Sequence, residues 1–225
     1  MRGLTVMDSA RYPDRRAAGR ALGERLLAED LPDPIVLALP RGGVPVGVEV
    51  AAALGAPLDL VVARKIGAPG HAELGVGALT PDGPPVLDAG LLERLGLRAE
   101  MLAATIEAER CEARRRVKAF RGDRPAPALA GRSVVVVDDG LATGVTARAA
   151  VRSLQAQHPG RLVLAVPVGS RQAVASLGQE VTVVCLYAPA RFRAVGNHYR
   201  DFHQLTDDDV RALLGAGGAG GEGPG

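Results

Sequence analysis

One stretch concentrates residue types that do chemistry: Val134-Val135-Val136-Val137-Asp138-Asp139-Gly140-Leu141-Ala142-Thr143-Gly144-Val145-Thr146. The unbroken β-branched run predicts a strand covered on both faces. It delivers two adjacent carboxylates to its carboxyl end, where ligands bind in open α/β sheets. Gly140 and Gly144 allow a tight turn and close backbone approach, and Thr143 and Thr146 offer hydroxyls. A helix beginning near Val145 aims unpaired N–H groups and its positive dipole end at the loop. Amides and hydroxyls at a helix N-terminus make an anion site, most naturally for phosphate. Asp138 and Asp139 would repel phosphate but suit the hydrogen bonds of sugar hydroxyls. Phosphate-holding amides beside diol-holding carboxylates describe a site for ribose 5-phosphate.

Rival readings of this loop fail on residue type or register. Without a lysine it is not a nucleotide-hydrolase P-loop, and it lacks the G-x-G-x-x-G of a dinucleotide fold. A haloacid-dehalogenase pattern needs an acid two residues before Asp139, where Val137 stands. A bare acidic turn in solvent leaves the paired Gly and Thr residues without a purpose. A second glycine turn, Leu39-Pro40-Arg41-Gly42-Gly43-Val44-Pro45, exposes amides before a helix, and Arg41 adds a forked cationic donor.

The segment Val134–Thr146 resembles the phosphoribosyl-pyrophosphate motif of type I phosphoribosyltransferases: an apolar run, two acids, a short step, then T-G-x-T. The resemblance extends from about Asp14 to Leu214. It implies that Gly140, Leu141, Ala142, Thr143, Gly144, Val145 and Thr146 hold the 5-phosphate, while Asp138 and Asp139 fix the ribose and oppose growing positive charge. The turn Arg41-Gly42-Gly43 corresponds to the pyrophosphate loop. Arg64-Lys65-Ile66-Gly67-Ala68-Pro69-Gly70 resembles a run of the adenine enzymes, one residue shorter, so Arg64 and Lys65 are expected to meet pyrophosphate oxygens. The implied catalytic set is Asp138, Asp139, Arg41 and Lys65. Family members use a flexible lid, here about residues 66–90 with His71 and Glu73, both read as solvated loop residues. They also use a C-terminal hood, here about 187–206, with Phe192 and Tyr199 as the rings that would cover an acceptor; His198 reads as a surface residue. Enzymes for 6-oxopurines carry Asp where this chain has Ala142, which speaks against hypoxanthine or guanine. The resemblance further implies Mg2+ held mainly through the substrate, with no protein-only metal site, and a homodimer by analogy. The expected activity is transfer of phosphoribosyl to an undetermined acceptor, a nitrogenous base among the options. A non-catalytic sensor of the same donor or of a nucleotide is the alternative.

Strands and helices must carry these turns. Helical spacing of Ala17, Ala21, Leu22 and Leu26 predicts a helix over Asp14–Asp30, ended by Pro32 and Pro34. Strand Ile35–Leu39, helix Val44–Leu54 and strand Leu58–Ala63 then form a βαβ pattern. Leu74–Leu79 and Pro85–Leu87 suggest a hairpin about Pro81-Asp82-Gly83. Leu102, Ile106, Ala113, Val117 and Phe120 mark a long helix, on which Arg114–Arg116 read as a solvated face. Pro125–Gly131 reads as a loop. Strand Val134–Val137, helix Val145–Gln157, strand Leu162–Val166, helix Arg171–Leu177 and strand Val181–Leu186 follow. A last helix over Asp207–Leu214 takes Thr206 as N-cap. The expected class is α/β, one domain over residues 1–214 with a mainly parallel sheet flanked by helices. The glycine-rich stretch 215–225 reads as a disordered tail.

Composition bounds the partners. The 225 residues hold 47% hydrophobic and 23% charged side chains, which suits one buried core. A formal charge of +2 disfavours a surface built on counterion release from nucleic acid. Only Arg114–Arg116, Lys118 and Arg121 form a basic stretch that would support such a role. Cys111 and Cys185 lie too far apart for metal or disulfide spacing. No signal-like segment and no apolar run of about 18 residues is present, so a cytoplasmic, membrane-free setting is expected. Aromatics are scarce, and Tyr187, Phe192, Tyr199 and Phe202 fall in one stretch. A packing nucleus and a ligand-stacking surface both fit that cluster.

Overall fold

The computed structural model describes residues 12–217. The elements follow in chain order: α1 (Arg15–Leu26), β1 (Pro34–Ala38), α2 (Gly43–Leu54), β2 (Leu58–Leu60), β3 (Arg64–Ala68), β4 (His71–Leu79), β5 (Val86–Leu87), α3 (Ala89–Arg94) and α4 (Ala103–Arg121). Then come β6 (Ser133–Val137), α5 (Val145–Gln155), β7 (Arg161–Val168), α6 (Arg171–Leu177), β8 (Thr182–Tyr187) and α7 (Asp207–Gly217).

Five strands form a parallel sheet in the order β2-β1-β6-β7-β8. Alternation along β6 explains its valines. Val135 and Val137 pack on one face with α1, α2, α4 and α7. Val134 and Val136 pack on the other with α5 and α6. All five residues of β6 are buried, and each such valine contributes about 1.5–3 kcal/mol by leaving water. The expected α/β class, parallel sheet and flanking helices are all present. No described helix is long and apolar enough to cross a membrane.

The segment after β2 contains the expected hairpin, with Gly77 opposite Leu87 and Ala78 opposite Val86, but adds a strand in place of the expected loop. Arg64–Ala68 is itself a strand, and β3-β4-β5 form a separate antiparallel sheet. Ile66, Val76 and Leu79 enter the main core from it, so burial stabilises a sheet that no apolar period announces. Helix α7 continues to Gly217, past the expected end at Leu214. Of the glycine-rich tail, residues 218–225 lie outside the described residues. Thr206 caps α7 as expected: its Oγ1 accepts the Asp209 N–H at 3.1 Å, and Asp209 Oδ2 accepts the Thr206 N–H at 2.8 Å. This is a reciprocal capping box.

Candidate active site

Strands β1 and β6 are parallel neighbours in register Ala38 to Val137. Their carboxyl ends therefore place the turn Leu39–Gly43 against the turn Asp138–Gly144, and Leu39 N–H donates to Val137 O at 2.8 Å. The approach is close. A Cβ at residue 42 would lie 2.0 Å from Asp139 Oδ2, and one at residue 43 would lie 2.6 Å from Val137 O. Both glycines are required by contact: a side chain at either would strike the acidic turn. The structure thus brings together Arg41, Gly42, Gly43, Asp138 and Asp139.

The two carboxylates are held differently. Asp139 Oδ2 accepts Arg15 Nε at 2.8 Å, and Tyr199 O–H donates to Asp139 O at 2.5 Å. Arg15 is 8% exposed. It also donates to His203 O at 3.0 Å and lies 3.8 Å over the Phe202 ring. Asp138 Oδ1 accepts the Asp139 N–H at 2.8 Å, and among the described residues it forms no ion pair, the Arg15 charge acting on it only from a distance. Loss of water, then the neighbouring Asp139 charge, raises the Asp138 carboxyl well above the ordinary carboxylate range. Burial pushes Asp139 up as well, with Arg15 holding it lower than burial alone would. The pair titrates as a unit and rewards any ligand that brings positive charge or hydroxyl donors.

Downstream the loop is anchored at Leu141, buried at 2% exposure. Its N–H donates to Val168 O at 2.9 Å, and its carbonyl accepts Ser170 N–H at 2.8 Å. Ser170 Oγ reaches Ala142 O at 2.7 Å. Gly144 precedes α5 with φ +77°, a left-handed turn that favours glycine, and no side chain caps the helix. The first amides of α5 are left for a ligand or water. Ala142 and Thr143 are exposed beside them, Thr146 half-buried. Gly140 is covered by the C-terminal segment: a Cβ there would meet Val195 at 2.6 Å.

Other expected site residues stand as follows. The Arg41 guanidinium lies 3.7 Å from Asp207 at the start of α7. Arg64 binds Glu109 of α4 at 2.6 and 2.7 Å, so its cation serves the helix rather than the glycine turns. Lys65 is exposed on β3, its stem laid over Gly75. Phe192 is half-buried and stacks on His198 with ring centres 5.5 Å apart. Tyr199, expected as an acceptor-covering ring, is 3% exposed between Tyr12 and Phe202. Its hydroxyl braces the acidic turn, so packing and positioning occupy the ring. His71 is exposed, and the Glu73 side chain lies outside the described residues. Reasoning from the sequence missed Arg15, Tyr12 and Ser170. Arg15 is one arginine among many, and only its place after the α1 cap Asp14 sets it apart. Among the described residues no group of three or more His, Cys, Asp or Glu side chains forms a metal cluster.

Comparison with known proteins bears on this geometry. A family model described as a phosphoribosyl transferase domain matches residues 14–185. A Mycobacterium tuberculosis protein provisionally named as a phosphoribosyl transferase is 45% identical over 204 residues in two strains, covering 90% of this chain and 46% of the relative. The chain spans about half the length of the curated relatives it matches. The crystal structure of TT1426 from Thermus thermophilus is similar with a TM-score of 0.78 at 44% identity, over 91% of this chain and 97% of that one. The converging turns, the parallel sheet that carries them and the matched span agree, and the chain belongs to the phosphoribosyl transferase domain family.

Proposed function

We propose that the chain transfers a 5-phosphoribosyl group from phosphoribosyl pyrophosphate to a small acceptor, with nitrogenous bases among the candidates, and releases pyrophosphate. The observation that carries this reading is the contact of the Gly42–Gly43 turn with Asp138 and Asp139, beside the uncapped N-terminus of α5. The amides of Gly140–Thr146 bind the 5-phosphate. Asp138 and Asp139 accept the ribose hydroxyls and oppose positive charge as the bond from the anomeric carbon to pyrophosphate breaks. The turn amides at Gly42 and Gly43, with Arg41 and Lys65, stabilise the leaving group. Arg15 holds Asp139 in place for this work.

A divalent cation fits this donor set. Two carboxylates, one already engaged by Arg15, offer a hard cation part of its oxygen shell, and substrate oxygens and water supply the rest. Magnesium bound there would neutralise pyrophosphate charge. Rate enhancement then comes from positioning and fixed charge.

Isothermal titration of the full chain with phosphoribosyl pyrophosphate and magnesium tests the reading. Binding at one site per chain, abolished in Asp138→Asn/Asp139→Asn, is expected. Unimpaired binding by that double variant, or none by the wild type, would refute it. Pyrophosphate release during a screen of purines, pyrimidines and amines separates transfer from mere sensing of the donor.

A further inference from the structure

The basic residues of α4 divide into two sets. Arg115 and Arg116 share Glu112, with N–O distances of 2.6 to 2.9 Å. Their hydrogen bonds and charge draw the Glu112 carboxyl down to about 2. Arg114, Lys118 and Arg121 recur at helical spacing and share another face. That face borders a half-open cavity of about 620 Å³, with Arg124 on the same rim. The cavity is larger than the recess between Asp14 and Leu213, and the residues of the acidic turn do not line it. Its walls are α4, the Thr80–Pro84 turn, the Ala126–Leu129 loop and the end of α5. Leu37, Val62, Leu129 and Leu154 give it an aliphatic floor.

The charges of this rim are not balanced from within. Arg121 is neutralised by Asp59 at 3.0 Å. The carboxylate facing Arg114 is Asp82, 3.9 Å away and 90% exposed. Among the described residues no carboxylate lies within ion-pair distance of Lys118 or Arg124. Most other arginines here are salt-bridged, whereas Lys118 and Arg124 stand exposed beside an apolar floor, where a ligand with both an anionic group and an apolar body would gain from each. A single-stranded nucleic acid does not fit, because no aromatic ring lines the recess for base stacking.

We propose that this cavity is a second ligand site, distinct from the acidic turn, for a phosphate or diphosphate ester of a small organic body. Arg114, Lys118 and Arg124 take the phosphate oxygens, and the body rests on the aliphatic floor. The volume falls within the range of ordinary small-molecule pockets. Arg110 Nη1 donates to the carbonyls of Pro81 and Gly83 at 3.1 and 2.9 Å, tying α4 to the turn between β4 and β5. Strand β4 pairs with β3, which presents Lys65.

Calorimetric titration of the full chain with ADP, and with inorganic pyrophosphate as a body-less probe, tests the proposal. ADP is expected to bind wild type and Asp138→Asn/Asp139→Asn alike, and more tightly than pyrophosphate. Affinity should fall at least about tenfold in Lys118→Glu/Arg124→Glu and stay unchanged in Arg94→Glu/Arg98→Glu, which alters charge as much away from the cavity. The neutral pair Lys118→Gln/Arg124→Gln serves if the reversed charges prevent folding. Absent ADP binding, an unaffected Lys118/Arg124 variant, or ADP binding lost only in the aspartate variant would each overturn it; because the glycine turn also takes pyrophosphate, the comparison uses only the pyrophosphate binding that Lys118→Glu/Arg124→Glu removes, and affinity in that component equal to ADP's would overturn it as well. So would RNA binding that Lys118→Glu/Arg124→Glu abolishes and ADP does not displace. Phosphoribosyl pyrophosphate binding should survive in the Lys118/Arg124 variants, which keeps the two sites' failures apart.

Discussion

Asp138 is a carboxyl placed where its charge is unwelcome, and that sets a signed pH dependence. Its folded pKa is raised, so its contribution to stability is intact below the ordinary carboxylate value and is lost as pH rises through the folded value. Asp138→Asn should therefore melt higher than wild type at neutral pH, by about 2–4 °C for each kcal/mol relieved. The difference should close as the pH is lowered toward the ordinary aspartate range, and donor binding should be lost throughout. Thermal melts across pH decide this; equal melting at neutral pH would contradict it. Asp139 carries the opposite lesson, because its partner is supplied. The Arg15 and Asp139 side chains are 9% and 15% exposed, and removing one member of a buried pair costs about 3–5 kcal/mol. Arg15→Met should show that loss in urea unfolding, and adding Asp139→Asn should recover most of it. No pattern in the sequence announces this pair, since its members lie 124 residues apart. The acidic turn itself was legible, because strand, acids, glycines and threonines are contiguous there.

At the scale of elements, legibility followed the regularity of burial. Strand β6, α5 and α6 lie where apolar run and helical spacing put them, and Arg171–Leu177 matches to the residue. Strand β3 was hidden for a physical reason. Its pairing with β4 shifts register at Ile66/Gly67 and again at Gly67/Ala68, so no simple alternation survives. Pro69 and Gly70 then read as loop residues, although they turn one strand into the next. The N-cap of α7 was legible from Thr206 alone, and its worth is measurable. Thr206→Ala removes the hydroxyl that accepts the Asp209 amide, and should lower the melting temperature by about 2–4 °C. Because Arg41 lies near Asp207, fraying of α7 should also weaken pyrophosphate binding at the glycine turn. An unchanged melting curve would remove the cap from the stabilising features.

For the whole molecule, one sheet carries the stability and its rim carries the candidate site. Strands β1, β6 and β7 are covered by both cores. Their amides should exchange with solvent last, at the free energy of global unfolding, while those of α3 and the small β3-β4-β5 sheet exchange earlier. Mass-resolved hydrogen exchange reads the order directly, and early exchange in β6 would contradict this division. Helices close both sheet faces, and the carboxyl ends of β1 and β6 carry the two turns, so the rigid part of the molecule holds Asp138 and Gly43. The C-terminal segment joins this frame by aromatic contact: Tyr12, Tyr187, Phe192 and Val195 pack with Tyr199 and Val168.

That cluster gives the protein a built-in optical probe. The chain has three tyrosines and no tryptophan, and Tyr12, Tyr187 and Tyr199 all belong to it, with the Tyr199 hydroxyl on the Asp139 carbonyl. Tyrosine emission from the unlabelled protein, excited beyond phenylalanine absorption, therefore originates in the cluster that adjoins the acidic turn. A titration followed by intrinsic fluorescence would report events at that turn without a dye, and a ligand seated far away would leave the signal still unless the turn itself moved.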